Sequence, residues 1–263
     1  VLFPSTNVFA ELEDIRTHDA VERRDYLAFL DATCGYPYEY FKKIRNLDAP
    51  ALDFLNVRYV LTAPGGRAPG SRWLPVYSGT DGNVFENTRA LPRAYAPARV
   101  RLVPSAARVR EPTSDATALF GEAFREIAAN EDWRRTGWVL ASRAGEEAGA
   151  AAEIAEYREG TNEASFSAHV AEGTAWVVLS LVQDGGWSAR DGEGRPVPVL
   201  RANGPFLALT LPAGDHRIAL RYRPPGFRTG AAIAGATAAV LGIGAAFARA
   251  RRRARNPSRT PVT

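Results

Sequence analysis

The spacing of apolar positions changes character twice along this chain. Residues 8–32 place Leu12, Ile15, Tyr26, Leu27 and Leu30 at helical intervals among charged neighbours, which predicts an amphipathic helix. Residues 48–56 read as a short helix with Pro50 near its start, where a missing N–H is tolerated. A strand is expected at 57–62, then a loop at 63–72 carrying Pro64, Gly65, Gly66, Pro69 and Gly70. Strands at 74–78 and 83–87 flank Asp81-Gly82, a strong hairpin signal. Residues 99–109 should be extended, and Ser114 should cap a helix to 129 with Leu119, Phe120, Phe124 and Ile127 inward. A short strand at 138–141 precedes an Ala-, Gly- and Glu-rich linker at 143–153.

Beyond residue 154 the period becomes two. Strands are expected at 165–170, 175–182, 196–201, 206–211 and 216–223. In the last, His216, Ile218, Leu220 and Tyr222 share one face, and Arg217, Arg221 and Arg223 share the other. Turns are expected at Asp184-Gly185-Gly186, Asp191-Gly192, Asn203-Gly204 and Ala213-Gly214-Asp215. The fold class is therefore α+β. A small mixed α/β region spans 1–142, an antiparallel β-sandwich spans 154–227, and one transmembrane helix ends the sequence at 228–248.

That helix rests on the uncharged stretch 229–248, whose 20 residues would make a helix of about 30 Å, the thickness of a bilayer core. Its alanine content keeps a buried soluble helix in play. The arginines directly behind it, Arg249, Arg251, Arg252, Arg253 and Arg255, decide for a stop-transfer arrangement with a basic cytoplasmic tail at 249–263. Residues 1–227 are then extracytoplasmic. Gly230, Ala234, Ala238, Gly242 and Ala246 recur every four residues, a stripe suited to packing against upstream membrane helices.

Charge sharpens the picture. The chain has 33 basic and 29 acidic residues, but the last fifteen hold six arginines and no acid, so everything before them sums to −2. A basic tail on a slightly acidic body argues against nucleic-acid binding. One cysteine, Cys34, excludes internal disulfides, and the histidines at 18, 169 and 216 show no metal-ligand spacing. No nucleophile motif or convincing carboxylate pair is present, so no catalytic residue, metal or cofactor is assigned. With no methionine at its start, the sequence reads as a C-terminal piece of a longer protein.

For binding, Trp187, Asp191, Asn203 and His216 come from adjacent turns and strand ends and are the candidate ligand-binding rim, suited to a sugar. The competing reading has Trp187 plug the core while Asp191 and Asn203 make turns, and the neighbouring glycines favour it. Arg217, Arg221 and Arg223 read as a solvated face.

An ordered set of motifs resembles the C-terminal extracytoplasmic region of YfhO-type bacterial membrane proteins. The set is Leu179-Ser180, Gly186-Trp187, Asp191-Gly192, Ala202-Asn203, Pro212-Ala213-Gly214-Asp215-His216 and Tyr222-Arg223-Pro224. Residues 55–62 and the segments Val84-Phe85-Glu86-Asn87 and Ala90-Leu91-Pro92-Arg93-Ala94 agree with it, as does a membrane helix directly after Tyr-x-Pro. Asp184-Gly185 departs from it, since aromatic residues are commoner there.

The resemblance implies a multi-spanning protein of the bacterial cytoplasmic membrane, similar to C-type glycosyltransferases that use polyprenyl-phosphate sugars on cell-envelope polymers. Catalysis would sit upstream of this fragment. Its partners would be the bilayer, upstream membrane helices of the same protein, and an envelope glycan or lipid-linked sugar. The alternative is a non-enzymatic, membrane-anchored binding or assembly module.

Overall fold

The computed structural model describes residues 12–16, 22–37, 43–105 and 116–255, and the architecture is α+β with a long C-terminal helix. The chain divides into two compact units, Val1–Tyr222 and Arg223–Thr263. In the first unit, α1 (Arg24–Cys34) realises the later part of the expected first helix. Residues 12–16 are irregular instead. Asp14 accepts the backbone N–H of Arg16 at 2.9 Å and its guanidinium at 2.6 Å, a local bond that competes with helix. Residues 8–11 and 17–21 lie outside the described residues. The helix stops at Gly35, whose left-handed φ of 61° brings its N–H onto Asp31 O.

After α2 (Ala51–Phe54) come β1 (Tyr59–Thr62), β2 (Trp73–Ser78) and β3 (Asn83–Asn87), an antiparallel sheet of order β1-β3-β2 with the expected Asp81-Gly82 hairpin. Strands β4 (Ala94–Tyr95) and β5 (Arg99–Pro104) follow. The expected helix to 129 is two pieces, α3 (Ala116–Phe120) and α4 (Ala123–Ala128). Gly121, at φ 53°, breaks it, because a left-handed residue cannot continue a right-handed helix. Ser114 and residues 106–109 lie outside the described residues. Strand β6 (Thr136–Ala141) runs parallel to β5, and β7 (Gly145–Ala148), within the expected linker, pairs antiparallel with β5.

The remaining strands are β8 (Ala152–Gly160), β9 (Glu163–Val182), β10 (Trp187–Arg190), β11 (Pro196–Val197), β12 (Leu200–Ala202) and β13 (Phe206–Tyr222). They join β4 to β7 in one ten-stranded sheet of order β11-β10-β13-β12-β6-β5-β7, with β9 beside β13, and β4 and β8 beside β9. Two pairs of expected strands are thus single long ones. The 213–215 turn is a bulge between Pro212 and Gly214, lying opposite Val170 and Thr174 on β9, so both strands pass it without separating.

Period two along β9 sends Val178 and Trp176 to one hydrophobic cluster, and Ala175, Val177, Leu179 and Leu181 to another. Burial on both faces explains the unbroken apolar run there. The first cluster is aromatic: Phe54 stacks on Trp133 at 4.7 Å and meets Phe206 edge-on at 4.7 Å, while Phe29 meets Phe206 at 5.0 Å. The second holds Phe166, Leu207, Leu209, Ile218 and Leu220.

The second unit contains α5 (Phe227–Arg255), whose stretch Phe227–Arg252 is long and apolar enough to cross a membrane. At 26 residues that stretch is about 39 Å long. Ile233, Val240, Leu241, Ile243 and Phe247 are all more than half exposed.

Candidate functional site

Strand register builds a polar groove of about 480 Å³ on the sheet face shared by β8, β9 and β13. Glu153, His169 and Asp215 are direct cross-strand partners and form one row. Ala155, Ser167 and Arg217 form the next row, two residues along each strand and so on the same face. The turn after β10 closes one side with Asp191, Gly192, Glu193 and Arg195.

Hydrogen bonds fix most of these groups. His169 Nδ1 lies 2.6 Å from Asp215 Oδ1 and donates to it, which leaves Nε2 without a partner among the described residues. His216 donates from Nε2 to the carbonyl of Pro212 at 2.7 Å. Ser167 Oγ donates to Ala155 O at 3.2 Å. Asp191 accepts the backbone N–H groups of Glu193 and Arg195 at 3.0 and 2.9 Å. The Arg195 guanidinium meets Asp191 at 2.6 Å and Glu193 at 2.8 Å. Its hydrogen bond holds the Asp191 carboxyl below its ordinary range and raises Arg195 in turn. Among the described residues, Glu153 and Arg217 have no ion pair, so the groove offers one free carboxylate and one free guanidinium.

Of the four residues expected at a binding rim, Asp191 and His216 line this groove, and Trp187 and Asn203 do not. Trp187 is half-buried against the second cluster. Its indole N–H donates to Val182 O at 3.0 Å, and its ring lies 5.3 Å from that of Tyr222. Asn203 is fully buried with a left-handed φ of 46°, and its Oδ1 accepts the Trp138 N–H at 2.9 Å. Glu153 and Ser167 carry no local signal, and His169 and Asp215 stand in the sequence only as a lone histidine and a turn residue, because only the pairing of β8, β9 and β13 brings the four together. Arg217, expected on a solvated face, is exposed and also lines the groove.

A second polar cluster is structural. Asp25, 2% exposed, accepts from Arg23 at 2.7 Å and from Arg201 at 3.1 Å, tying α1 to β12. Burial lowers the Arg201 guanidinium's affinity for its proton, with Asp25 opposing. Nearby, Tyr222 donates to Asp184 at 2.5 Å; desolvation first, and that carboxylate second, push its phenol up to about 12. Asp184 thus holds the tyrosine of the Tyr-x-Pro motif at the point where it departs from the resembled pattern.

The motif-bearing strands and the membrane-length helix lie in one segment. Residues 149–234 match the family model of the bacterial membrane protein YfhO. The YfhO match runs from just before β8, through the groove and both long strands, into the first turns of α5. Its motif residues are mostly joints of the fold: Trp187 against Tyr222, Asn203 against Trp138, and Ser180 N–H bonded to Arg93 O at 3.0 Å. A cryo-EM structure of the arabinofuranosyltransferase AftD from Mycobacteria is also similar, at 23% identity over 31% of this chain, with a TM-score of 0.24. The chain spans only 6% of AftD's length. A search of curated proteins gives no match.

Proposed function

We propose that this chain is the C-terminal part of a membrane glycosyltransferase-like protein that acts on cell-envelope polymers with a polyprenyl-phosphate sugar donor, and that this part binds or positions the acceptor. The observation that carries the reading is the YfhO match over a sheet with a polar groove and the start of a membrane-length helix. The region 154–227, with Glu153 at its edge, acts as the binding module; the family match begins at residue 149, within the 143–153 segment that β7 ties into the same sheet. Chemistry belongs to residues upstream of the chain.

The sheet unit lies outside the cytoplasmic membrane, and Arg249, Arg251 and Arg252 flank the helix on the cytoplasmic side, as the positive-inside rule requires. Arg253 and Arg255 extend the same flank in sequence.

The test compares membranes carrying the full-length protein with membranes carrying residues 1–263, each supplied with a radiolabelled polyprenyl-phosphate sugar. Transfer to an envelope polymer by the first and not the second supports the reading. No transfer by either favours a non-enzymatic envelope module, and transfer by the chain alone overturns the upstream placement of catalysis. For orientation, a cytoplasm-dependent reporter fused after Thr263 should be active, and an inactive fusion reverses the sidedness.

A further inference from the structure

The groove has a definite chemical character. Its small apolar residues are Ala155, Ala168 and Gly192, and the rest of its carbon surface belongs to residues that also carry polar groups, so a wholly greasy ligand would strand those groups. A polyanion is disfavoured as well. Four carboxylates (Glu153, Asp191, Glu193 and Asp215) face only two guanidiniums, and Arg195 is already committed to Asp191 and Glu193. A polycation meets the reverse difficulty, because Asp191 and Glu193 are neutralised locally and Asp215 is engaged by His169, leaving Glu153 balanced by Arg217.

What remains unspent is a mixed set. Glu153 accepts and Arg217 donates; the Ser167 hydroxyl, its proton given to Ala155 O, keeps its lone pairs, and His169 Nε2 is a further acceptor. Acceptors and donors stand in adjacent rows, about 5 Å apart across strands and about 7 Å apart along them. A ligand whose every group is both donor and acceptor satisfies such a surface without ionic pairing. That describes a chain of sugar hydroxyls.

We propose that the groove formed by Glu153, Ser167, His169, Asp215 and Arg217 binds an uncharged glycan segment. This deepens the acceptor-binding half of the reading above and rests on it for biological meaning, while the binding event itself stands apart from transfer. The cavity of about 480 Å³ lies within the ordinary range for small-ligand sites and suits a short run of sugar rings.

The test titrates residues 1–263 in lipid nanodiscs with neutral hexasaccharides of glucose, mannose, galactose and arabinose, and with hexagalacturonate as the anionic probe. At least one neutral hexasaccharide should bind with a Kd of about 1 mM or tighter. Arg217→Gln and Glu153→Gln should each weaken it at least about ten-fold, which is 1.4 kcal/mol or more. Both positions are exposed, so the near-ultraviolet circular dichroism should be unchanged. Arg221→Gln, on the same strand but outside the groove, should bind like the parent chain.

Equal binding by the groove variants, preference for hexagalacturonate, or no binding by any neutral hexasaccharide would overturn the proposal. Absence of transferase activity in the full-length protein would sink the wider reading and leave this titration untouched.

Discussion

Asn203 is the sharpest test of whether a motif residue serves the fold or a ligand. Its side chain is wholly buried, its Oδ1 takes the backbone N–H of Trp138, and its own N–H donates to Trp138 O at 2.8 Å, joining β12 to β6. Asn203→Ala removes the acceptor and leaves a buried N–H unpaired, costing about 1–3 kcal/mol. It also places a β-carbon without a compensating amide in the left-handed region, where φ is 46°, adding about 1–2 kcal/mol. The sum is about 2–5 kcal/mol.

For a unit of this size each kcal/mol moves the midpoint by about 2–4 °C, so a drop on the order of 10 °C is expected. Asn203→Gly removes the same hydrogen bond but tolerates the backbone, so it should recover the part due to strain. The assay is thermal unfolding followed by tryptophan fluorescence, since Trp138 and Trp133 sit in the affected core. Alanine and glycine variants that melt together would remove the backbone contribution. An Asn203→Ala variant as stable as the parent but deaf to sugar would refute the structural role altogether.

Other expectations follow from the same geometry. Trp187→Ala should destabilise by about 3 kcal/mol, the low end for a large aromatic because the ring is only half-buried, and should leave hexasaccharide affinity unchanged in molecules that remain folded. Arg201→Met uncovers Asp25 and should lower the urea midpoint by the equivalent of about 3 kcal/mol, the low end for a broken buried pair because Arg23 still holds the carboxylate. Burial pushes the Cys34 thiol from 9.0 up to about 11, so the unfolded chain releases this proton first. Its contribution to stability is complete below about pH 9 and declines towards pH 11, by roughly 1.4 kcal/mol per pH unit; Cys34→Ala should flatten that part of the profile.

Local signals were readable where one short segment decides its own structure. Asp81-Gly82 makes the β2–β3 hairpin, and the alternation of Ile218, Leu220 and Tyr222 against Arg217 and Arg221 makes the last strand. Pro50 opens α2 as expected, and the uncharged run after Thr229 is helical throughout. Failures came where distant segments decide. Ala213-Gly214-Asp215 has turn composition, yet the β9–β13 ladder resumes on both sides of it across a bulge. The helix expected to run to 129 breaks at Gly121, whose backbone is left-handed. The groove was half legible through Asp191 and His216. The His169–Asp215 pair joins residues 46 apart in sequence, a contact that strand register makes and no local spacing announces.

The two long strands also say something about how the protein must be made. Each of them supplies side chains to the second hydrophobic cluster, and Val178 with Ala208 and Phe206 carries the same pair into the first. A ribosome delivers β9 well before β13, so for that interval a 20-residue strand has β8 on one edge, β4 at its far end, and nothing along the edge that β13 will occupy. An open edge of Val177, Val178 and Leu179 is a template for pairing with a neighbouring nascent chain. Truncations ending before Phe206 should therefore aggregate even though most of the sequence is present.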